Sequence, residues 1–280
     1  MTGHHERLRR ARNERGTASD EHSPTLVAVA HGSRRPAAQE DVRRLLDAVR
    51  AARPGLDVRE AYIELAEPLL PQVLGSLTAP AVVVPLLLGH GYHIAHDVAG
   101  MAAAHSRAET YNNHAQTWQG NPGLPCAPAL GPDPLLIEAL ADRLAQAEYD
   151  VSSDRFGPVV LAAAGSSDRR SHADAEATAR LLAARLGRPV VPAYNTAARS
   201  SVRETVAGLR RAGHRRVGVA TYLLWPGRFA AEVAACGADF VAAPIGVHPA
   251  LAQLVLDRYD AARRAQPLAA RSRGSVLARR

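Results

Sequence analysis

Short apolar runs alternate with amphipathic stretches along the first half of the chain. The runs Thr25–Ala30, Val58–Ile63 and Ala81–Leu88 have the length and composition of strands that are buried on both faces of a parallel sheet. After the first run, apolar residues recur at helical spacing from Pro36, where proline suits the first turn of a helix. Strands that alternate with helices predict right-handed βαβ units and an α/β fold built on parallel sheets.

Further elements are predicted before the middle of the chain. The pattern indicates helices over Pro68–Leu77, from about His93, and from the GPDP segment to about Ala147. A short strand is predicted over Leu124–Leu130. Residues 111–123 are polar and rich in turn-forming residues, so we interpret them as a loop.

The second half of the chain repeats the first. Val159–Ala164, followed by Gly-Ser, matches the run that ends in His31-Gly-Ser, and Val217–Leu224 with WPGRF matches PLLLGHGYH. A repeat of this length predicts two similar domains produced by internal duplication, each a small parallel sheet flanked by helices. We therefore predict α/β domains over 24–150 and 151–263.

The two ends of the chain are polar and have no apolar period. Residues 1–23 and 264–280 are predicted to be disordered tails. From Ala261 to the C-terminus there are six arginines and no acidic residue, which account for most of the net charge of +7. Because this charge lies in a tail and aromatic residues make up only 4% of the chain, we expect no nucleic-acid partner.

Composition also bears on the cell compartment. The N-terminus lacks the apolar segment of a signal peptide, and no window approaches the length of a membrane span. The two cysteines, Cys126 and Cys236, lie far apart and outside any CxxC pattern, so neither a disulfide framework nor a cysteine-rich zinc site is expected. We predict a cytoplasmic protein that does not associate with membranes.

Polar residues of the kind that bind metals follow the ends of the predicted strands. His31 follows the first strand and Glu64 the second, while the third leads into a histidine cluster that includes His93. Because the carboxyl ends of parallel strands meet at one edge of a sheet, we expect these side chains to lie close together. Imidazole is the commonest protein ligand for transition metals, so this edge is a candidate metal site.

The histidine cluster is spaced at intervals of three residues. On a helix that begins near Gly91, His93 and His96 share a face, and Asp97 is placed to orient an imidazole. His90 and His96 are equally well explained as surface or rim residues. Glycines near the strand ends, such as Gly32, allow the backbone to approach a ligand closely.

Comparison of the two halves singles out the same positions. The repeat keeps the backbone elements and the glycines but lacks the ligand-type side chains. At the positions of His31, Glu64 and His93 the second half has Ala164, Thr196 and Phe229, respectively. If these histidines were only packing residues, there would be no reason for them to be absent together from the second half. We therefore infer that the first half carries the chemistry.

A strand that ends in His-Gly also occurs in the histidine phosphatases, where an arginine precedes the histidine. Here Ala30 precedes His31, and neither a catalytic cysteine pattern nor a Walker-type loop supplies another phosphate site. The sequence therefore disfavours phosphate chemistry at this strand end.

Motifs at the three strand ends resemble one protein family. HGSR follows the first strand, YIELAEP spans the end of the second, and PLLLGHGYHIAHD contains the end of the third. In this combination they resemble the sirohydrochlorin chelatases of the CbiX/SirB type, class II chelatases that insert a divalent metal ion into a tetrapyrrole. The resemblance covers most of residues 24–262. Long members of this family are duplications in which one half keeps the histidines.

The resemblance implies roles for individual residues. His31 and His93 would hold the metal and, together with Glu64, form the catalytic group. Glu64 and Asp97 match acidic positions of the family. Contacts with the substrate are expected from residues near the strand ends, namely Ser33, Arg34, Gly91 and Tyr92.

The function that follows is insertion of Fe²⁺ or Co²⁺, with Ni²⁺ also compatible, into sirohydrochlorin for siroheme or cobalamin biosynthesis. The metal would be a substrate, and no tightly bound cofactor is expected. A monomer is expected, because an internal duplication can replace a dimer of single-domain units. The alternative is a non-catalytic carrier of metal or tetrapyrrole that uses the same residues. Glu64, a candidate proton acceptor, favours the enzyme.

Overall fold

The computed structural model describes residues 23–89, 98, 100–102, 124–150, 152, 156–196 and 201–265. Both predicted tails lie almost entirely outside these ranges, as do the predicted loop 111–123 and the start of the helix predicted from about His93. None of the helices within the described ranges combines the length and the apolar character that a membrane span requires.

The first half forms a three-stranded parallel sheet with the order β2-β1-β3. Its strands are β1 (Thr25–Ala30), β2 (Val58–Tyr62) and β3 (Ala81–Pro85). The described helices of this half are α1 (Pro36–Ala52), α2 (Leu70–Gly75) and α3 (Pro134–Gln146). All six residues of β1 are buried, as expected for a central strand covered on both faces.

The second half repeats this arrangement with the strand order β5-β4-β6-β7. Its strands are β4 (Val159–Ala163), β5 (Val190–Tyr194), β6 (Gly218–Tyr222) and β7 (Phe240–Val241). Its helices are α4 (Arg169–Leu186), α5 (Val202–Arg211), α6 (Arg228–Ala234) and α7 (Pro249–Arg264). The predicted α/β fold with two similar parallel sheets is confirmed.

Two strand predictions differ from the structure. The strand predicted over Leu124–Leu130 is reduced to a single bridge between Val83 and Cys126. The strand predicted over Ala81–Leu88 ends at Pro85, although the apolar run continues. Its last residues leave the sheet because their carbonyls bond elsewhere: that of Leu87 accepts from the Leu130 amide, and that of Leu88 accepts from a side chain of the second half.

The last helix of each half packs against the sheet of the other half. Helix α3 belongs to the first half in sequence but contacts α4 and β6, whereas α7 belongs to the second half and contacts α1 and β3. Two ion pairs link the halves. Arg53, just after α1, pairs with Asp260 of α7, and Arg185 of α4 pairs with Glu138 of α3. One hydrophobic core therefore draws on both halves. The domain bounds 24–150 and 151–263 follow the repeat and stay a prediction.

Two arginines at equivalent positions of the repeat make reciprocal contacts across this junction. Arg143 of α3 donates to the carbonyls of Ile245 and Val247, just before α7. Arg258 of α7 makes the equivalent contacts just before α3, where it donates to the carbonyls of Ala129 and Leu130 and to the Asp133 carboxylate. Each helix thus fixes the start of the other.

Removal of the Arg258 guanidinium should destabilise the whole fold. The side chain is only 20% exposed, and Arg258→Ala would leave two backbone carbonyls and the Asp133 carboxylate without this donor. We expect the free energy of unfolding, measured by urea denaturation, to fall by about 3 kcal/mol. Arg185→Ala is the matched control, because it removes an exposed ion pair between the same two halves and should cost much less. Equal losses in the two variants would contradict this interpretation.

Candidate metal-handling site

The carboxyl ends of β1 and β2 bring His31 and Glu64 together. The sheet ladder continues past both strands, since the Ile63 amide donates to the Ala30 carbonyl at 3.0 Å and the Glu64 amide donates to the His31 carbonyl at 3.0 Å. The side chains face one another, with Nε2 of His31 3.6 Å from Oε1 of Glu64. They are 38% and 53% exposed, so the pair is accessible from solvent.

Gly32 permits this close approach. Its φ of +100° lies in the left-handed region, and a Cβ at this position would overlap the carbonyl oxygen of Glu64. The two strand ends therefore pass each other at a separation that requires glycine. Gly165, the equivalent residue of the second half, has a φ of +84°, and a Cβ there would overlap the side-chain hydroxyl of Thr196 rather than a backbone carbonyl.

Ser33 and Arg34 follow directly at the turn into α1. The Ser33 hydroxyl accepts from the Arg35 amide at 3.1 Å, and Ser166 makes the same contact with the Asp168 amide in the second half. A turn shared with the half that lacks the ligand-type residues has a structural role. Arg34 is exposed. The expected contacts of Ser33 and Arg34 with substrate stay predictions.

Leu65 is a residue at this edge that the sequence pattern did not reveal. It follows Glu64 directly, its side chain is among the exposed large apolar groups, and its φ is +64°. A non-glycine residue in the left-handed region costs about 1 kcal/mol and persists where the surrounding structure imposes it. The chain thus displays an apolar side chain beside the His31–Glu64 pair. The period of apolar residues carries no signal for such a conformation.

The remaining predicted site residues lie outside the described part of the chain. These are His90, Gly91, Tyr92, His93, His96 and Asp97. Their expected place beside His31 stays a prediction, which draws support from β3 being the direct neighbour of β1 and parallel to it. Within the described ranges, no group of three or more His, Cys, Asp or Glu side chains is arranged to hold a metal ion.

The second sheet has different chemistry at the equivalent edge. The amide of Thr196 donates to the carbonyl of Ala164 at 3.2 Å, just as that of Glu64 donates to His31. The carbonyl of Phe229 accepts from the Asn195 side chain at 2.9 Å. The duplication therefore preserves the backbone contacts of the site while alanine and threonine replace the imidazole and the carboxylate.

Burial raises the pKa of two groups near the first sheet. Desolvation, together with the nearby Glu60 carboxylate, raises the pKa of Tyr62 at the end of β2 to about 12. Desolvation also raises the pKa of the Cys126 thiol to about 11. The raised pKa disfavours the thiolate form of Cys126 near neutral pH and with it a role as a nucleophile.

Curated relatives of this chain include two sirohydrochlorin cobaltochelatases. A sirohydrochlorin cobaltochelatase of Methanothermobacter thermautotrophicus is 27% identical over 133 residues, which span 44% of this chain and 91% of that protein. A sirohydrochlorin cobaltochelatase of Methanosarcina acetivorans is 29% identical over 80 residues, which span 27% of this chain and 62% of that protein. A match to nearly all of a relative with less than half of this chain agrees with an internal duplication.

Solved structures share the fold. SirB from Bacillus subtilis, determined with Fe³⁺, superposes with a TM-score of 0.69 at 22% identity and covers 86% of this chain and 95% of SirB. CbiX, described as the terminal enzyme of siroheme biosynthesis in denitrifying bacteria, superposes with a TM-score of 0.56 at 19% identity over 85% of this chain and 98% of CbiX. The two-sheet architecture is therefore shared with SirB and CbiX.

The family model of CbiX matches the chain in two segments. They comprise residues 25–147 and 158–262, one in each half of the repeat. Together they include both sheets and every described helix except the last two residues of α7, and the first segment includes the His31–Glu64 pair. The chain belongs to the CbiX family.

Proposed function

We propose that this protein inserts a divalent metal ion into sirohydrochlorin. The observation that carries the proposal is the imidazole–carboxylate pair of His31 and Glu64, which the ends of β1 and β2 hold 3.6 Å apart at an accessible sheet edge. Membership of the CbiX family and the activity named for the two curated relatives support it.

The metal is handled as a substrate. His31 supplies one imidazole ligand, and His93, which follows the neighbouring strand β3 in sequence, is proposed to supply the second. Two imidazoles leave most coordination positions open, so that the ring nitrogens of the tetrapyrrole can replace water. A metal that must be handed on requires such a weak, incomplete ligand set.

Glu64 is proposed to accept protons during insertion. The tetrapyrrole must lose two N–H protons as its nitrogens bind the metal, and an acceptor must lie within hydrogen-bond reach of the reacting group. Glu64 is held beside the ligand His31, and half of its side chain is open to solvent, through which the proton can leave. This role separates an enzyme from a carrier that binds metal without turnover.

Substrate contacts are proposed from the residues around the pair. Sirohydrochlorin is a flat macrocycle with many carboxylates, and the guanidinium of Arg34 suits carboxylate recognition by paired donors. Leu65, 46% exposed beside Glu64, offers apolar surface to the face of the ring. Imidazole and carboxylate accept Fe²⁺, Co²⁺ and Ni²⁺ alike, so competition between these metals in the insertion assay identifies the one used.

Loss of either proposed ligand should abolish insertion in a folded protein. For His31→Ala and His93→Ala we expect turnover of sirohydrochlorin with Co²⁺ or Fe²⁺, followed by visible absorbance, to fall by at least about 100-fold. His214→Ala, which removes an exposed histidine that precedes β6, should leave turnover unchanged. Full activity in both ligand variants would contradict the proposed site. Stoichiometric absorbance changes without turnover in the unaltered protein would indicate the carrier.

Substitution of Gly32 should disturb the site by more than the unfavourable φ angle alone would cause. Gly32→Ala and Gly213→Ala introduce a Cβ at similar φ values, +100° and +95°, but the space at Gly213 is open, whereas the Cβ at Gly32 would overlap the Glu64 carbonyl. We expect Gly213→Ala to lower the free energy of unfolding by about 1 kcal/mol and to leave Co²⁺ affinity unchanged. Gly32→Ala should cost more and weaken Co²⁺ binding, as measured by thermal denaturation and metal titration. Equal effects would show that His31 and Glu64 tolerate displacement.

A further inference from the structure

The second half of the chain reaches across to the strand end that precedes His93. The hydroxyl of Tyr222, the last residue of β6, donates to the carbonyl of Leu88 at 3.0 Å. Leu88 and Gly89 follow β3 and continue directly into the segment with the predicted ligand. The Tyr222 side chain is buried, so this hydrogen bond is shielded from water.

The surroundings of this contact are closely packed. A Cβ at Gly131, in the loop before α3, would overlap the Tyr222 hydroxyl and lie 2.5 Å from the Leu88 carbonyl oxygen. Asp174 of α4 approaches the next residue, since its Oδ2 would lie 3.0 Å from a Cβ at Gly89. Two side chains of the second half therefore confine consecutive residues of the first.

Among the described residues, the first half makes no equivalent of the Tyr222–Leu88 hydrogen bond to the second half. Tyr222 occupies the position of Leu86 in the repeat, because both residues follow the strand position that pairs with Val29 in the first sheet and with Ala162 in the second. Leu86 has no hydroxyl to offer in return. The carbonyl equivalent to that of Leu88, in Leu224, accepts from the Gly246 amide of its own half at 2.8 Å. The half that lacks the equivalents of His31 and His93 thus carries a polar group directed at the half that has these residues.

We propose that Tyr222 is a positioning residue for metal handling, which fixes through the Leu88 carbonyl the point where the chain enters the His93 segment. The inference rests on the proposed function and assigns the second half a part in it. Burial raises the pKa of the Tyr222 hydroxyl well above its ordinary value, so it remains a donor throughout the physiological range. Tyr222→Phe would remove this donor and keep the ring.

Tyr259 offers a matched control. Its hydroxyl donates to the carbonyl of Pro24 at 2.7 Å, and its side chain is also buried and also belongs to the second half. Pro24 precedes β1, at the end of the strand opposite His31. Tyr222→Phe and Tyr259→Phe therefore remove the same kind of hydrogen bond between the halves, one at the site edge and one remote from it.

The test compares Co²⁺ affinity, measured by absorbance titration of the full-length protein with the metal alone, in the two variants. We expect Tyr222→Phe to raise the Kd for Co²⁺ about tenfold and Tyr259→Phe to change it by less than about twofold, while both lower the unfolding temperature to a similar extent. In the insertion assay, Tyr222→Phe should raise the KM for Co²⁺ and leave the KM for sirohydrochlorin unchanged.

Two results would overturn the proposal: an unchanged Co²⁺ affinity in Tyr222→Phe, or an equal loss in Tyr259→Phe, which would indicate general loosening between the halves. Failure of the proposed function gives a different result. In that case the unaltered protein binds Co²⁺ but does not turn over sirohydrochlorin, and the Co²⁺ affinities alone decide the role of Tyr222.

Discussion

The fold depends on the exchange of one helix between its two halves. Each small parallel sheet must be covered on both faces, because its central strand is apolar throughout. Each half obtains part of this cover from the other, since α7 packs on β3 and α3 packs on β6. Arg143 and Arg258 hold the loops that lead into these helices, so the hydrogen bonds of one helix start depend on the position of the other. The two sheets are therefore fixed relative to each other by partly buried polar contacts as well as by apolar packing.

This arrangement explains how one half can lose its chemistry and still be required. The second half keeps the strand-end geometry of the site, down to the equivalent hydrogen bonds of Glu64 and Thr196. Its ligand-type side chains are replaced, but its helices and Tyr222 still support the first sheet. A duplicated domain that is freed from catalysis can thus change at its own strand ends, while the residues that face its partner remain constrained by packing.

The sequence allowed the elements and the first pair of site residues to be predicted, for identifiable reasons. The apolar run of β1 ends in His31 and that of β2 leads to Glu64, and parallel pairing leaves little freedom in where those residues meet. The crossing of α3 and α7 could not be predicted, because an amphipathic helix specifies that it has an apolar face but not which sheet covers it. The early end of β3 involves contacts with residues distant in sequence, which no local pattern encodes. The left-handed conformation of Leu65 likewise has no signal in the period of apolar residues.

Helix exchange also constrains the order in which the protein can be completed during synthesis. The strands of the first half leave the ribosome first, but α7, which covers β3 and α1, occupies residues Pro249–Arg264 near the end of the chain. Domains made early in synthesis usually fold as units before the rest follows. Here the half that carries His31 is translated first and completed last. A nascent chain that stalls before Pro249 would therefore leave apolar surface of the first half uncovered, although every residue of that half has already been synthesised.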